Sequence, residues 1–362
     1  MSLVMPGEVL DVNDVALLAD DQRAVDQRLA CFLADKERTA DSPGLRSLVV
    51  LLRECLVGGK RMRPLLLACG QRAGGELGPL TPGAVNVAGA LEMFHAFALI
   101  HDDVMDDSDR RRGHATLHRL VAHRHRSHPD AARFGLSIAI LVGDMALGWS
   151  HELIRTADLT AEQSAAAWQV FNAMSTDTVA GQHLDLLTAG TAATSVEQAM
   201  LITRYKTAMY TVTHPLRLGL LLADANHRQL EAGTELGTAL GEAFQLRDDL
   251  LGVYGDPELT GKPTTDDLRA GKNTVLLALA RRHADAQQHG LLNTLVGSPD
   301  LDADGVALVR DVFDATGARA TVERMITQRR ATALALLDTG VFHPVGERLL
   351  RNAVTVATAR DH

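Results

Sequence analysis

The sequence predicts an all-α protein that folds as a single helical bundle. Alanine and leucine, both strong helix formers, dominate the 362 residues, and only 11 prolines interrupt them. Apolar residues recur at helical spacing along most of the chain, whereas no segment has the sustained alternation of a β-strand. Hydrophobic residues make up 46% of the sequence, which is enough to bury a large core.

Helical periodicity places the predicted helices along the chain. They are Leu45–Cys55, Val85–Asp106, Ala131–Arg155, Ala161–Leu187, Val196–Ala225, Thr234–Val253, Thr274–His283, Asp302–Thr316 and Thr321–Leu337. Clusters of turn-forming residues separate them, at Gly58-Gly59, Gly74–Pro82, Ser127–Asp130, Gly255–Lys272 and Gly297–Gly305. No repeat or low-complexity linker divides the chain. We therefore expect residues 1–44 to form a mobile N-terminal arm and helix, and residues 45–362 to form one helical domain.

Charge and cysteine content exclude several classes of protein. The formal net charge of -9 predicts that the protein does not bind nucleic acid. The three cysteines, Cys31, Cys55 and Cys69, have no metal-ligand spacing and are expected to be reduced, buried thiols of a cytoplasmic protein. The first residues carry acids where a signal peptide carries bases. No uncharged apolar stretch reaches the ~20 residues that span a bilayer, so stable membrane insertion is not expected.

An aspartate cluster ends the second predicted helix, where His95–Asp106 reads HAFALIHDDVMD. In a helix, Asp102 and Asp106 are four residues apart and share one face, with Asp103 beside them. Like charges at this spacing repel, so the helix gains no stability from them. Carboxylates that converge beside an apolar run are ligands for a hard cation, which makes this segment a candidate metal site.

A second aspartate pair, Asp248 and Asp249, ends another apolar helix, and Gln245 precedes it by about one turn. Either cluster alone would also fit a solvated helix end. Cations suited to phosphate oxygens, however, lie around both clusters. They are Lys60, Arg61, Arg63, Arg110, Arg111, Arg112, Lys206, Lys262 and Lys272. Together the two clusters and these cations predict an enzyme that handles an anionic phosphate substrate through a divalent metal.

The chain resembles the trans-polyprenyl diphosphate synthase family from about residue 45 to about residue 277. The resemblance rests on several motifs in the order of the family. These are GGKRMRP, LIHDDVMDDSDRRRGHATLH, FGLSIAILVGD, VAGQHLDL, YKTA, FQLRDDLLGVYGD and TGKPTTDDLRAGKNT. It implies an isoprenoid synthase fold, in which helices surround a deep central apolar cavity, and a homodimer.

The resemblance also implies roles for individual residues. Those implied to bind magnesium, as three ions when substrate is bound, are Asp102, Asp103, Asp106, Asp248 and Asp249. Those implied to hold isopentenyl diphosphate are Lys60, Arg63, His95 and Arg112. Those implied to grip the allylic diphosphate are Arg111, Lys206 and Lys262, with Thr207 and Gln245 near the reacting carbons. Lys272, which follows the lid-like segment around Asp266-Asp267, is a further candidate substrate-binding residue.

The sequence departs from the family pattern at Gly252, where the second motif usually ends in aspartate. Asp256 lies one turn later and is a candidate replacement. Metal binding is still expected, because Asp248 and Asp249 remain. The implied reaction ionises the allylic diphosphate while magnesium, arginine and lysine neutralise the leaving group. The allylic cation then alkylates isopentenyl diphosphate in a dry cavity.

Product length is predicted from the residues that precede the first aspartate motif. Phe97 and Ala98 lie five and four residues before Asp102, which is about 6–8 Å along a helix axis. A small Ala98 beside a large Phe97 resembles the geranylgeranyl-forming relatives, and Phe94, about one turn deeper, is an alternative floor. Both phenylalanines could also be ordinary core residues.

Three other functions are alternatives to geranylgeranyl diphosphate synthesis. A farnesyl or other chain-length synthase uses the same residues. A class I terpene cyclase has no need of the isopentenyl-binding set of Lys60, Arg63 and His95. A non-catalytic synthase subunit commonly lacks an intact first aspartate motif, which this chain retains.

Overall fold

Helices account for nearly all of the described chain. The structure is a computed structural model that describes residues 10–111, 113–188, 195–255 and 266–358. The first helices are α1 (Val12–Thr39), α2 (Pro43–Leu56), α3 (Met62–Gly74), α4 (Pro82–Met105), α5 (Leu117–Arg124), α6 (Ala131–Arg155) and α7 (Ala161–Thr188). There follow α8 (Val196–Ile202), a π-helical segment (Thr203–Thr213), α9 (His214–Leu222) and α10 (His227–Tyr254). The last are α11 (Asp266–Arg269), α12 (Val275–His283), α13 (Ala286–Leu295), α14 (Ala303–Ala315), α15 (Ala318–Leu337) and α16 (Pro344–Thr358).

Capping residues fix the start of the two helices that carry the aspartate clusters. At α4, the Thr81 hydroxyl accepts a hydrogen bond from the backbone N–H of Ala84, and Pro82 occupies the first helical position. At α10, Asn226 and Gln229 form a reciprocal capping box. Both helices therefore begin at defined residues and run toward the site with their aspartates near the last turns.

Helix α4 is the centre of the bundle and packs against α1, α3, α6 and α9. Its residues are buried around most of the circumference over the first half of its length, as expected for a helix with few polar residues. By length and composition, α4 and α6 are each apolar enough to cross a membrane. In α4, 67% of the apolar stretch is buried inside the bundle, whereas in α6 only 28% of it is buried. Helix α4 is therefore a core helix, whereas α6 leaves an apolar face uncovered.

The predicted helices are confirmed within a few residues at most of their ends. The segment predicted as one helix from Val196 to Ala225 consists of α8, the π-helical segment and α9. Helices α3, α5, α11, α13 and α16 were not predicted. Helix α3 begins within the basic GGKRMRP motif, and its Pro64 is tolerated because first-turn N–H groups need no helical partner. Of the three free thiols, Cys69 is buried as expected, whereas Cys31 and Cys55 are exposed.

The N-terminal part of the chain contributes helix α1, which packs on α2, α3 and α4. Its buried residues Val25, Leu29 and Leu33 join the main hydrophobic core. The Arg72 guanidinium of α3, fully buried, pairs with Asp21 of α1 at 2.6 Å. From Val12 onward this segment is therefore part of the packed bundle.

Candidate active site

A cavity of about 890 Å³ lies between α4, α7, the π-helical segment and α10. Most of the residues predicted for the site line it. They are Lys60, Arg63, His95, Phe97, Ala98, Asp102, Arg111, Lys206, Thr207, Gln245, Asp248, Asp249 and Lys272. Asp103, Asp106 and Phe94 do not line it. Arg112, Lys262 and the candidate replacement Asp256 lie outside the described residues.

The first aspartate cluster lies at the C-terminal end of α4 and faces two cations. Asp102 is 2.9 Å from Lys206 Nζ through Oδ1 and 3.1 Å from Arg111 Nη2 through Oδ2. Arg111 also donates from Nε to Asp103 Oδ1 at 2.6 Å. A short hairpin of Arg110–Arg111 and His114–Ala115 holds this arginine over the aspartates. The spacing of Asp102 and Asp103 therefore lets one guanidinium contact both carboxylates.

The carboxylates of this cluster differ in how well their charge is balanced. Burial raises the pKa of Asp102, but the charges of Lys206 and Arg111 outweigh it and the pKa is lowered overall. Burial raises the pKa of Asp103 to about 6, against the opposing effect of Arg111. Asp106, at the end of α4, also has a raised pKa, because of burial and the negative charge of Asp102. Burial is therefore the main reason that Asp103 and Asp106 retain a proton more readily than an ordinary aspartate, whereas at Asp102 the cations outweigh it.

The second aspartate cluster faces the same cavity from α10. Gln245 donates to Asp249 Oδ1 at 2.7 Å, and burial together with the Asp248 and Asp267 charges raises the pKa of Asp249 to about 7. A Cβ atom added at Gly252 would lie 2.2 Å from Asp267 Oδ2. The Asp267 carboxylate therefore occupies the space in which a side chain at position 252 would begin. Sequence reasoning had assigned Asp267 to a lid and did not identify it as this neighbour.

Asp185 is a second site residue that sequence reasoning missed, although it belongs to the quoted motif VAGQHLDL. Its Oδ2 lies 2.5 Å from Lys206 Nζ, so Lys206 joins Asp185 of α7 to Asp102 of α4. Lys206 and Thr207 lie in the π-helical segment, whose wider turn is a common feature of functional sites. At Gly181 a Cβ atom would lie 2.1 Å from the Lys206 backbone nitrogen. This glycine therefore permits the close approach that presents Lys206 to both carboxylates.

The glycine turn before α3 brings Lys60 and Arg63 to the cavity. Gly58 and Gly59 have φ values of 74° and 97°, which favour glycine. Arg63 donates to Thr211 at 2.8 Å and lies 4.5 Å from the centroid of the Tyr210 ring. A guanidinium over an aromatic face is stabilised by the ring quadrupole, which holds Arg63 at the cavity wall.

Arg61, between these two residues, has a structural role. Its guanidinium pairs with Asp26 of α1 at 2.7 Å and with Glu92 of α4 at 2.9 Å. It also donates to the Leu56 carbonyl at 2.8 Å. Its backbone is left-handed, with φ 48°. These contacts attach the glycine turn to α1 and α4.

Phe97 and Ala98 of α4 line the cavity. Phe94 is fully buried behind them and packs edge-on against Phe97, with ring centroids 5.3 Å apart. It also contacts Phe171 and Tyr210 edge-on, at 5.6 Å and 6.1 Å. Phe97 therefore forms the cavity wall, and Phe94 supports it from the core.

The donor chemistry of the site fits magnesium that arrives with an anionic substrate. Among the residues that the structure describes, no three metal-binding side chains converge closely enough to form a closed cage. Magnesium keeps several waters and binds through one or two carboxylates together with phosphate oxygens, so it needs no such cage. Asp102 of α4 and Asp248 and Asp249 of α10 line one cavity, and Asp106 and Asp249 have raised pKa values. This is the arrangement in which a divalent cation would relieve repulsion.

Comparisons with known proteins agree with this geometry. The sequence profile of the family described as Polyprenyl synthetase matches residues 47–313. The geranylfarnesyl diphosphate synthase of Aeropyrum pernix is 34% identical over 234 residues, which are 64% of this chain and 69% of the relative. The (2E,6E)-farnesyl diphosphate synthase of Mycobacterium tuberculosis is 31% identical over 278 residues, 75% and 72% of the two chains. The structure also resembles that of the geranylgeranyl pyrophosphate synthase of Corynebacterium glutamicum, which was solved in complex with isoprenyl diphosphate and magnesium. The two superimpose with a TM-score of 0.88 and are 38% identical in sequence. The superposition covers 94% of this chain and 98% of the Corynebacterium chain.

The helical bundle around a deep cavity thus has the isoprenoid synthase fold. The chain belongs to the polyprenyl synthetase family and is a trans-prenyltransferase, a polyprenyl diphosphate synthase. The relatives named for farnesyl, geranylgeranyl and geranylfarnesyl products all share this family.

Proposed function

We propose that the protein makes geranylgeranyl diphosphate from isopentenyl diphosphate and an allylic diphosphate, with magnesium as cofactor. The proposed product length is supported by one observation, that the large Phe97 and the small Ala98 both line the cavity wall. Phe97 lies about 7.5 Å along α4 from Asp102, at 1.5 Å per residue. Ala98 leaves room beside it, so a growing tail passes Ala98 and stops at the Phe97 ring.

The residues divide between the two diphosphates and the metal. Asp102, Asp103 and Asp106 on α4, with Asp248 and Asp249 on α10, would hold three magnesium ions. When bound, these ions supply Lewis-acid stabilisation of the leaving diphosphate. Arg111, Lys206, Lys262 and Lys272 would bind substrate diphosphate, and Thr207 and Gln245 would lie beside the reacting carbons. Lys60, Arg63, Arg112 and His95 bind isopentenyl diphosphate, and the apolar wall keeps water from the allylic cation.

A product assay tests this proposal. Purified protein is incubated with magnesium, labelled isopentenyl diphosphate and dimethylallyl, geranyl or farnesyl diphosphate in parallel. The products are dephosphorylated and separated by chromatography. Geranylgeraniol is expected as the main alcohol. Farnesol or a longer alcohol as the main product would refute the assigned chain length and leave the class of reaction in place.

We also propose that the enzyme acts in the cytoplasm as a homodimer that joins through α6 and α7. These helices expose large apolar side chains. They are Ile140 (44%), Leu141 (51%), Trp168 (38%) and Val179 (60%). Exposed apolar area of this kind is typical of an interface. Analytical ultracentrifugation tests the proposal, and a monomer at micromolar concentration would contradict it.

Replacing Phe97 by alanine is expected to lengthen the main product by at least one isoprene unit. The change removes the ring that ends the cavity and exposes the space in front of Phe94. The alcohols from variant and wild type are compared after incubation with farnesyl diphosphate. Phe94→Leu serves as the companion variant, because Phe94 lies behind the wall. If Phe94→Leu lengthens the product and Phe97→Ala does not, Phe94 is the residue that ends the cavity.

Removing the charge of Asp249 is expected to change how stability depends on pH. The folded-state pKa of Asp249 is about 7, above its ordinary value of 3.8, so the folded protein binds the extra proton between these values. Stability from this group is therefore present at low pH and is lost as pH rises through about 7. Without metal, the Tm of the wild type should fall relative to that of Asp249→Asn between pH 5 and pH 8. Parallel curves across this range would contradict the raised pKa.

A further inference from the structure

His101, which directly precedes Asp102, is an unassigned part of the cavity wall. Its side chain is only 17% exposed. The ring packs edge-on against Phe97, with centroids 4.9 Å apart. On its other side it reaches α6, where Nε2 lies 3.2 Å from the Ile140 carbonyl oxygen. His101 therefore fills the gap between Phe97 and α6.

The ring can occupy this position because α6 has a glycine opposite it. A Cβ atom added at Gly143 would lie 2.2 Å from Nε2 and 2.3 Å from Cδ2 of His101. Both distances are far inside van der Waals contact. Gly148, five residues further along the same helix, has no atom within 4 Å of an added Cβ. The need for glycine is thus specific to the position that faces the imidazole.

Phe97 is held between two rings. Phe94 supports it from the core at 5.3 Å, and His101 contacts it from the side of α6 at 4.9 Å. Phe94 is fully buried in close-packed surroundings and cannot move far. The direction in which the Phe97 ring can shift is therefore controlled by His101, whose own position depends on the space at Gly143.

We propose that Gly143 and His101 are specificity-determining residues that position Phe97 and so set product length. The inference rests on the proposed function, in which Phe97 ends the cavity. A side chain at position 143 would displace the imidazole from α6. An imidazole displaced away from α6 moves toward the cavity and the Phe97 ring. It therefore shortens the part of the cavity that holds the growing isoprenoid tail. Removal of the imidazole has the opposite effect, because it opens this space.

The test compares Gly143→Ala with Gly290→Ala, which adds the same methyl group in open space on α13, a helix that neither lines the cavity nor belongs to the proposed dimer interface. Both variants and the wild type receive magnesium, isopentenyl diphosphate and geranyl diphosphate, and the ratio of C15 to C20 alcohols is measured. This ratio does not depend on how much enzyme is folded. Gly143→Ala should raise it on the order of tenfold, because close-packed surroundings absorb an added methyl group poorly. Gly290→Ala should match the wild type.

His101→Ala is a second test of the proposal, and it remains available if Gly143→Ala fails to fold. It should move the product ratio toward longer chains, and in this background Gly143→Ala should have little further effect. An unchanged ratio in both Gly143→Ala and His101→Ala, or a shift to longer products in Gly143→Ala, would overturn the inference. A wild type whose main product is not C20 would refute the proposed chain length instead, since the inference concerns the change relative to wild type.

Discussion

Replacing Asp102 by asparagine is expected to lower kcat by at least about 10²- to 10³-fold while the fold is retained. Asparagine keeps the size of the side chain and removes its charge. In the structure that charge faces Lys206 at 2.9 Å and Arg111 at 3.1 Å. In the proposed mechanism the same carboxylate binds magnesium. Under the proposed function, the variant loses both a metal ligand and the group that orders two cations for phosphate binding.

The matched control for this change is Asp109→Asn. Asp109 is also an ion-paired aspartate near the end of α4, but its side chain is 80% exposed and its partner Arg119 lies outside the cavity. Initial rates are measured over a range of magnesium concentrations, and folding is checked by thermal unfolding. Asp109→Asn should keep wild-type rates. Near-normal rates for Asp102→Asn at saturating magnesium would contradict the metal role of Asp102.

The fold and the first aspartate cluster could be predicted because both depend on local sequence. Helical periodicity is visible in any window of the chain, and the four-residue spacing of Asp102 and Asp106 fixes a shared face once the helix is given. The sequence also identifies the cations of the site, because lysines and arginines near aspartates are conspicuous. It does not show which cation serves the fold. Arg61 lies between Lys60 and Arg63, and only the structure shows that it binds Asp26 and Glu92.

The residues that sequence reasoning missed act through contacts between distant parts of the chain. Asp185 meets Lys206 across the gap between α7 and the π-helical segment. Asp267 fills the space beside Gly252 only because α11 folds back on α10. The π-helical segment itself has no distinct periodicity in sequence, so it was predicted as ordinary helix. Such contacts depend on packing geometry, which a periodic pattern does not contain.

Replacing Lys206 by methionine is expected to lower kcat by about 10²- to 10³-fold, because under the proposed function the variant lacks a preorganised cation at the leaving group. Methionine keeps the length of the side chain and its apolar stem. Lys206 pairs with Asp102 and Asp185 at 2.9 Å and 2.5 Å, and these charges, against the opposing effect of burial, raise its pKa. It is therefore a permanent positive charge at neutral pH. Its loss also leaves two carboxylates without this partner, so magnesium should stabilise the variant more than the wild type.

The control is Lys36→Met, because Lys36 and Lys206 have side chains that are both 22% exposed and both paired with a carboxylate. Lys36 joins α1 to Glu152 of α6, away from the residues that line the cavity. Steady-state rates are measured while the concentration of each diphosphate substrate is varied in turn, which separates effects on kcat from effects on the KM of each substrate. A loss of kcat with little change in KM for isopentenyl diphosphate would place Lys206 at the allylic diphosphate. An equal loss in both variants would attribute the effect to helix packing, and a rise in KM for isopentenyl diphosphate alone would move Lys206 to the other substrate.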